Sequence, residues 1–420
     1  MINRTTRSLL LDRATIFDGT GHSPLPGEHS IRVDDGVITW VGPSDHAPET
    51  HDVMDLRGMF VMPGLVNSHV HLANDASADL AGQVGEDSSV TGGLRAANNA
   101  MITLLSGVTT VKDCGAKDNI VIDVSRAIDS KLITGTRVFA AGRVITMTGG
   151  HGHFMGVEAD GLSAVRAAVR GQLKEGASFI KAMATGGVLT SGVQPTQTAL
   201  IGAELQVIVE EAHNAGRRVS THAIGREGIK NAILAGVDTI EHGFHLDEEL
   251  FELALERGTF LVPTLAAISG IVGRGPSGGT PGWIVDKARV EMERSRSMFR
   301  QAVESGINIA AGTDAGTPFN PHDGFVEELI EMVRIGLSPA RALLSATRDG
   351  AINADAQASI GTIEAGKCAD VIAVDGDPLI DITDLRRILV VVKDGEVHRD
   401  ERSGRSSDDS RVLNDERVRA

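Results

Sequence analysis

The sequence contains no tyrosine, and aromatic residues make up only 3% of its 420 positions. A binding pocket in this chain must therefore use a few Phe or Trp side chains, or replace them with Leu, Ile, Val and Met. Cysteine is scarce as well. Cys114 and Cys368 are too few and too far apart for a disulfide framework, and we expect both to be buried thiols.

Long basic segments and long apolar segments are also absent. A formal net charge of −16 without a compensating basic stretch excludes non-specific attraction to nucleic acid or to an anionic membrane surface. No segment approaches transmembrane length, and the apolar run Leu9–Leu11 is far shorter than the core of a signal peptide. We therefore expect a cytoplasmic protein whose partner is a small-molecule substrate.

The chain does contain a regular alternation of short apolar strands with amphipathic helices. Many of these helices end in a glycine that suits a left-handed C-cap. The candidate strands lie near Phe60–Asn67, Val108–Lys112, Arg137–Ala141, Phe179–Ala182, Arg218–Thr221, Asp238–Glu241, Phe260–Thr264 and Ile307–Gly312. Eight such βα units predict the α/β class and a (β/α)8 TIM-type barrel.

Short strands also occur at both ends of the chain, and we expect the two sets to pair into one small β-sandwich domain. The expected divisions are the first part of the sandwich, the barrel, the second part of the sandwich and a mobile tail, at 1–62, 63–358, 359–400 and 401–420. After the seventh strand, the Gly- and Pro-rich segment 270–282 predicts either a flexible lid or a passive surface loop.

Residues that can bind a metal ion follow several of these strands. His69 and His71 are two positions apart, so on a strand both imidazoles project from one side and can converge on one ion. Later strands are closed by Lys181, His222, His242 and Asp314. Because the carboxyl ends of barrel strands meet at one rim, this pattern predicts a metal-dependent hydrolase. A lysine among such ligands would be an unfavourable cation unless its charge were removed or inverted.

Five short segments of the chain resemble the amidohydrolase superfamily, namely Asn67-Ser68-His69-Val70-His71, Phe179-Ile180-Lys181, His222-Ala223, Glu241-His242-Gly243 and Gly312-Thr313-Asp314. The resemblance covers nearly the whole chain. It implies two divalent metal ions, most often Zn²⁺, bridged by a carboxylated Lys181. His69, His71 and Asp314 would hold the more buried ion, and His222 and His242 the other. It also implies that Asp314 is the general base beside a metal-bridging hydroxide that attacks an amide.

Two loops narrow the resemblance to one branch of that superfamily. The segments Thr146–His153 and Ala184–Val188 are similar to metal-dependent carboxypeptidases and Xaa-Pro dipeptidases, a branch that includes imidazolonepropionase-like and ochratoxin-hydrolysing amidohydrolases. This implies cleavage of an N-acyl amino acid or dipeptide, with ochratoxin A as the first specific substrate to test. The alternatives are an imidazolonepropionase-like cyclic amidohydrolase and a catalytically silent scaffold. We expect a homo-oligomer for either class.

Several loop residues are candidates for substrate binding. His151 lies in a Gly-rich loop that would let its imidazole approach the metals, where it would stabilise an oxyanion or bind substrate. The alternative is a turn with solvent-facing histidines at His151 and His153. Lys112 either pairs with a substrate carboxylate or forms an ordinary salt bridge at the rim. His245 is a weaker candidate on a later loop.

Overall fold

The computed structural model describes residues 8–404, so most of the tail predicted at 401–420 lies outside the described residues. The strands are β1 (Ser8–Ile16), β2 (His29–Asp34), β3 (Val37–Pro43), β4 (Val53–Asp55), β5 (Phe60–Pro63), β6 (Leu65–Val70), β7 (Val108–Asp113), β8 (Arg137–Ala140), β9 (Ile145–Thr146), β10 (Val157–Glu158), β11 (Ile180–Met183), β12 (Val219–Ala223), β13 (Thr239–His242), β14 (Phe260–Val262), β15 (Asn308–Ile309), β16 (Val371–Val374), β17 (Ile388–Lys393) and β18 (Glu396–Asp400).

Helices follow most of the strands in the middle of the chain. They are α1 (Leu80–Glu86), α2 (Ser89–Leu105), α3 (Ile120–Asp129), α4 (Gly161–Glu175), α5 (Gly202–Asn214), α6 (Arg226–Ala235), α7 (Glu248–Arg257), α8 (Leu265–Gly278), α9 (Gly282–Ser305), α10 (Phe325–Ile335), α11 (Pro339–Ser345) and α12 (Arg348–Asn353). Within residues 8–404, none of these helices has both the length and the apolar character needed to cross a membrane.

Both ends of the chain contribute to one eight-stranded sheet. Its order is β18-β17-β16-β5-β1-β2-β3, with β4 paired to β1. The two ends meet where β5 runs antiparallel to β16, with Phe60 opposite Val374. A separate apolar cluster, which includes Leu11, Ile31 and Val390, stabilises this sheet. The two ends of the chain therefore pair with each other in one sheet, while the β-sandwich domain stays a prediction.

The middle of the chain forms parallel sheets. One has the order β10-β9-β11-β12-β13-β14-β15, and the other has the order β6-β7-β8. Backbone hydrogen bonds also link these two sheets. Ser178 N–H donates to Ala140 O at 2.8 Å, and Ser68 N–H donates to Ala311 O at 2.9 Å. Strands such as β6, β7 and β12 are buried along their whole length, as expected when both faces of a parallel sheet are covered. The predicted α/β class with parallel strands is confirmed.

The structure corrects the first predicted barrel strand, Phe60–Asn67. This segment is divided between β5, which belongs to the sheet of the chain ends, and β6, which belongs to a parallel sheet. The division falls at Pro63 and Gly64. A Cβ at Gly64 would lie only 2.3 Å from Oγ1 of Thr109, so this close approach to β7 requires glycine. The apolar pattern is continuous across the division, and for that reason it does not reveal the change of sheet.

The segment 270–282 also differs from its prediction. It is neither a lid nor a surface loop, since most of it belongs to the last turns of α8 and only a short link separates α8 from α9. Pro276 lies near the carboxyl end of α8, where its missing N–H removes a single helical hydrogen bond. Ala267, Ile268 and Ile271 are buried on one face of this helix. The apolar spacing thus outweighs the Gly and Pro content.

One cation joins the sheet of the chain ends to the parallel strands. Arg137 on β8 forms ion pairs with Asp370 and Asp394, and Asp370 also accepts a hydrogen bond from Asp394 N–H at 2.9 Å. The Asp370 side chain is only 4% exposed. We therefore expect Arg137→Met to lower the free energy of unfolding by about 3 kcal/mol, because it leaves a buried carboxylate without its partner.

Urea denaturation of the wild type and the variant measures this effect. Arg386→Met is the matched control, because Arg386 pairs with Glu327 at 2.8 Å on the exposed surface. Removal of that pair is expected to cost less than about 1 kcal/mol. Equal losses for the two variants would contradict the role given to Arg137.

Candidate active site

The carboxyl ends of the parallel strands carry the residues singled out as metal ligands. The structure brings all of them to the lining of one cavity, namely His69, His71, Lys181, His222, His242 and Asp314. His69 and His71 lie at the end of β6, while Lys181 lies on β11 and Asp314 follows β15. This convergence follows from the parallel direction of the strands, which places all their carboxyl ends on the same side.

His69 and His71 present the same ring nitrogen to the centre of the site. The Nε2 atoms of both lie 3.2 Å from Oδ1 of Asp314. Their Nδ1–H groups donate outward, from His69 to Oε2 of Glu241 at 2.7 Å and from His71 to the carbonyl of Gly115 at 2.7 Å. Because the outer hydrogen bond fixes the tautomer, the Nε2 lone pairs of both rings are available to a metal ion.

His222 and His242 form the other side of the site, with ring centroids 4.5 Å apart. His222 uses Nε2 to donate to the carbonyl of Gly186 at 2.9 Å, which leaves Nδ1 free. The Thr264 hydroxyl donates to the carbonyl of Pro263, so it accepts from Nδ1 of His242 at 2.7 Å. Burial lowers the pKa of His242 to about 3 and that of His222 well below its ordinary value. Both rings are therefore neutral, the form that binds metals.

Lys181 and Asp314 test whether this site suits metal ions. The Nζ of Lys181 is buried, lies 3.7 Å from Oε1 of Glu241 and has no hydrogen-bond partner within residues 8–404. Burial opposes ionisation of Asp314, but His69 and His71 hold its pKa well below its ordinary value. The Oδ1 of Asp314 likewise lacks a hydrogen-bond partner in the described part of the chain. Buried polar atoms without hydrogen bonds are costly, and four histidine side chains beside a carboxylate are a good donor set for divalent metals. The residues present fit such a centre.

The backbone at two of these residues adopts a conformation that L-residues rarely take. His242 has φ 70° and Asp314 has φ 62°, both in the left-handed region. Asp314 is held there in part by its N–H, which donates to the carbonyl of His69 at 2.8 Å. Each such residue costs about 1–3 kcal/mol, and such strain is concentrated at functional sites. The rest of the fold therefore holds both side chains in directions that a regular strand would not give.

His151 and a group of apolar side chains complete the cavity. Nδ1 of His151 lies 2.8 Å from Oγ1 of Thr190, and its ring lies 4.4 Å from the ring of His222. Burial lowers the pKa of His151 to about 4. The apolar wall consists of Leu80, Phe154, Met155, Met183, Val188, Leu189, Ile224, Phe244, Ala267, Ile268 and Ile271. Aliphatic and Met side chains thus dominate, as the low aromatic content predicts.

The positions expected for Lys112 and His245 need correction, whereas His153 has the solvent-facing position that was its alternative interpretation. Lys112 is not at the rim, because strand alternation directs it into the interior, where Nζ donates to Oγ of Ser220 at 3.0 Å. His245 points away from the cavity and lies 3.1 Å from a carboxylate oxygen of Glu291 on α9. His153 is exposed, and its Nδ1 contacts the carbonyl of Gly150 at 3.0 Å.

Glu241 is a residue of the site whose role the sequence does not reveal. It accepts from His69, lies near Lys181, and has Sγ of Cys114 3.8 Å from Oε1. Burial would raise the pKa of Glu241, but Lys181 and His69 lower it. The sequence signal that indicates Glu241 is a carboxylate directly next to His242 on a buried strand. Cys114 is buried as expected, whereas Cys368 is only partly buried.

Parallel strands whose carboxyl ends carry four histidines, a buried lysine and an aspartate define a hydrolytic site. A model of the amidohydrolase family matches residues 60–398, and the chain belongs to that family. It is therefore a hydrolase that acts on C–N bonds, as the sequence predicts.

Three relatives show how far the similarity extends. Ochratoxinase of Aspergillus niger is 30% identical over 389 residues, which cover 84% of this chain and 78% of that protein. The structure of a Xaa-Pro dipeptidase with bound methionine in the active site is 33% identical, with a TM-score of 0.87 over 94% of this chain and 100% of the other. Imidazolonepropionase of Micrococcus luteus is 24% identical over 89% of this chain and 94% of that protein.

Proposed function

We propose that this protein is a binuclear zinc amidohydrolase that hydrolyses the amide bond of N-acyl amino acids or dipeptides. The observation that carries the proposal is Lys181, whose buried Nζ has no hydrogen-bond partner among the described residues and lies near the four histidines, Asp314 and Glu241. Carboxylation replaces this ammonium with an anionic carbamate, which removes the cost of a buried cation that lacks a hydrogen bond and adds ligand oxygens. Carboxylation therefore explains a lysine at this position better than its ion pair with Glu241 does.

The ligand set divides into two groups. His69, His71 and Asp314 would hold one ion, and His222 and His242 the second, with carboxylated Lys181 between them. Glu241 orients His69 through its hydrogen bond to Nδ1, at 2.7 Å. When bound, two divalent ions would polarise the amide carbonyl and lower the pKa of the attacking water.

The chain's own residues then have separate roles in the reaction. Ionised Asp314 accepts the proton of the attacking water and delivers it to the leaving nitrogen, a task that suits a carboxylate at the centre of the site. His151 faces the cavity from the loop after β9, where its Nε2–H would donate to the carbonyl oxygen as negative charge develops there. The apolar wall excludes water and binds the apolar part of the substrate.

Ochratoxin A, an N-acylated phenylalanine, is the first specific substrate that we propose. Support comes from the similarity to ochratoxinase and from the cavity, whose aliphatic, Met and Phe side chains suit an apolar acyl group. The similarity to a Xaa-Pro dipeptidase structure with methionine in its active site supports a product that is a free amino acid. The alternative, a cyclic amidohydrolase, is supported by the similarity to imidazolonepropionase.

Product analysis distinguishes these possibilities. The zinc-loaded protein would be incubated with N-acyl amino acids, Xaa-Pro and other dipeptides, ochratoxin A and imidazolonepropionate, each with and without a chelator. We expect release of a C-terminal amino acid that the chelator abolishes and added zinc restores. Ring opening alone would identify the cyclic amidohydrolase, and inactivity across the whole panel would favour the silent scaffold.

The proposal includes an arrangement for the whole chain. The links between Ser178 and Ala140 and between Ser68 and Ala311 support a closed (β/α)8 barrel at 63–358. The sheet shared by the chain ends supports a β-sandwich domain formed from 1–62 and 359–400. A cytoplasmic homo-oligomer is part of the same proposal, and sedimentation analysis of the purified protein tests the assembly.

A further inference from the structure

The loop between β11 and α5 contains a threonine hydroxyl that contacts His151 from behind. Thr190 is buried, at 4% exposure. Its Oγ1 lies 2.8 Å from Nδ1 of His151 and 3.5 Å from the backbone nitrogen of Gly152. We propose that Thr190 is a positioning residue, which fixes His151 in the tautomer that directs an N–H into the substrate cavity.

The direction of the hydrogen bond follows from the groups that surround the hydroxyl. The backbone N–H of Gly152 has only a donor to offer, so toward Gly152 the Thr190 oxygen acts as an acceptor. The Thr190 proton then needs an acceptor of its own, because a buried hydroxyl without one is costly. Within the described residues, Nδ1 of His151 is the acceptor in contact with Oγ1. Thr190 therefore donates to Nδ1, and the proton of the neutral ring lies on Nε2.

Gly187, three residues before Thr190, leaves room for the ring in this position. A Cβ at Gly187 would lie 2.5 Å from both Cε1 and Nε2 of His151. Such a distance is far below van der Waals contact, so any side chain at this position would displace the imidazole. Thr190 thus forms a hydrogen bond with the His151 ring, and the missing side chain of Gly187 leaves the space that the ring occupies.

Lys287 on α9 connects the same loop to the body of the protein. Its Nζ donates to the carbonyl of Thr190 at 2.9 Å and to the carbonyl of Val193 at 2.5 Å. It also lies 4.9 Å from the ring centroid of Trp283. These contacts fix the backbone of Thr190, so the hydroxyl keeps its direction toward His151. The hydrogen bond between Thr190 and His151 is therefore supported by a fixed backbone and does not depend on a freely rotating side chain.

The effect on turnover rests on the proposed function, in which His151 donates to the substrate carbonyl. Thr190→Val keeps the shape of the side chain but removes the donor, so the imidazole loses the preference for Nε2–H. We expect kcat to fall about tenfold to a hundredfold while KM changes by less than about threefold, because the lost interaction forms mainly in the transition state. Thr190→Ser keeps the hydroxyl and is expected to retain most of the activity.

A double-mutant comparison separates positioning from simple loss of structure. In a His151→Gln background, Thr190→Val should have almost no further effect on kcat, since both substitutions remove the same interaction. Thr196→Val, an exposed change of the same type in the same loop, is the matched control and should be neutral. Full activity of Thr190→Val, a Thr190→Ser variant as impaired as Thr190→Val, or additive losses in the double variant would each overturn the inference.

A spectroscopic measurement tests the inference without any substrate. Nitrogen NMR of the zinc-loaded protein with labelled histidine distinguishes a protonated from an unprotonated ring nitrogen, and the His151→Gln spectrum identifies the signals of His151. We expect protonated Nε2 and unprotonated Nδ1 in the wild type, and a mixture in Thr190→Val. Protonated Nδ1 in the wild type would overturn the inference. If no substrate in the panel is cleaved, the proposed function fails, but this measurement still decides the role of Thr190.

Discussion

Replacing Asp314 by Asn is expected to lower kcat by about three orders of magnitude while the protein remains folded. The amide keeps the size of the carboxylate but cannot accept the proton of the attacking water. It also cannot offer the anionic Oδ1 that lies 3.2 Å from Nε2 of both His69 and His71. Steady-state kinetics with the best substrate of the panel measures the loss, and circular dichroism checks the fold.

Asp323→Asn provides the control for this prediction. Asp323 is exposed and lies a short distance along the chain from Asp314, so the same chemical change there should leave kcat within about twofold of the wild type. Metal content must be measured for both variants, because Asp314 is also a proposed ligand. If Asp314→Asn kept more than about a tenth of the wild-type kcat, its role as the general base would have to be abandoned.

The second large effect is expected from Lys181→Met. Methionine is an unbranched side chain only one atom shorter than lysine and suits a buried position, but it cannot be carboxylated. We expect kcat to fall by about two to three orders of magnitude and bound zinc to fall by about one ion per chain, because the bridge between the two ligand groups is lost. Kinetics and elemental analysis of the purified variant measure the two effects.

A labelling experiment tests the carboxylation directly. In the proposed carboxylation, the neutral amine of Lys181 would react with carbon dioxide, form a nitrogen–carbon bond and release a proton. Protein prepared with carbon-13 bicarbonate should therefore show one carbamate signal in the wild type and none in Lys181→Met. Lys131→Met, which removes a lysine with a side chain that is 81% exposed, should keep the signal. A wild-type protein without any carbamate signal would contradict the proposed bridge.

The location of the site was largely predictable from the sequence, because it depends on a local rule. Each proposed ligand closes an apolar run, and parallel strands bring such positions together whatever the details of packing. His69, His222 and Asp314 reach the same cavity for this reason. The left-handed backbone at Asp314 has no such local signal, since it depends on contacts with β6 far away in the sequence.

The substrate-binding candidates that lie outside the cavity show which structural information the sequence alone does not contain. Lys112 and His245 were placed by their proximity to strand ends, but the direction of a side chain depends on strand alternation and on partners from distant segments. For His245 the partner is Glu291 on α9, and for Lys112 it is Ser220 on β12. The division of Phe60–Asn67 between two sheets is hidden for a similar reason, because both halves are equally apolar.

The pairing of β5 with β16 has a consequence for the order of folding during synthesis. One neighbour of β5 in the sheet, β1, precedes it in the chain, but on the other side Phe60 lies opposite Val374, so roughly 300 residues must be translated before β16 exists. During that time an apolar strand edge from the start of the chain remains open to other nascent chains and to chaperones. The synthesis of β16, and not the assembly of the parallel strands, thus determines when β5 can complete its pairing.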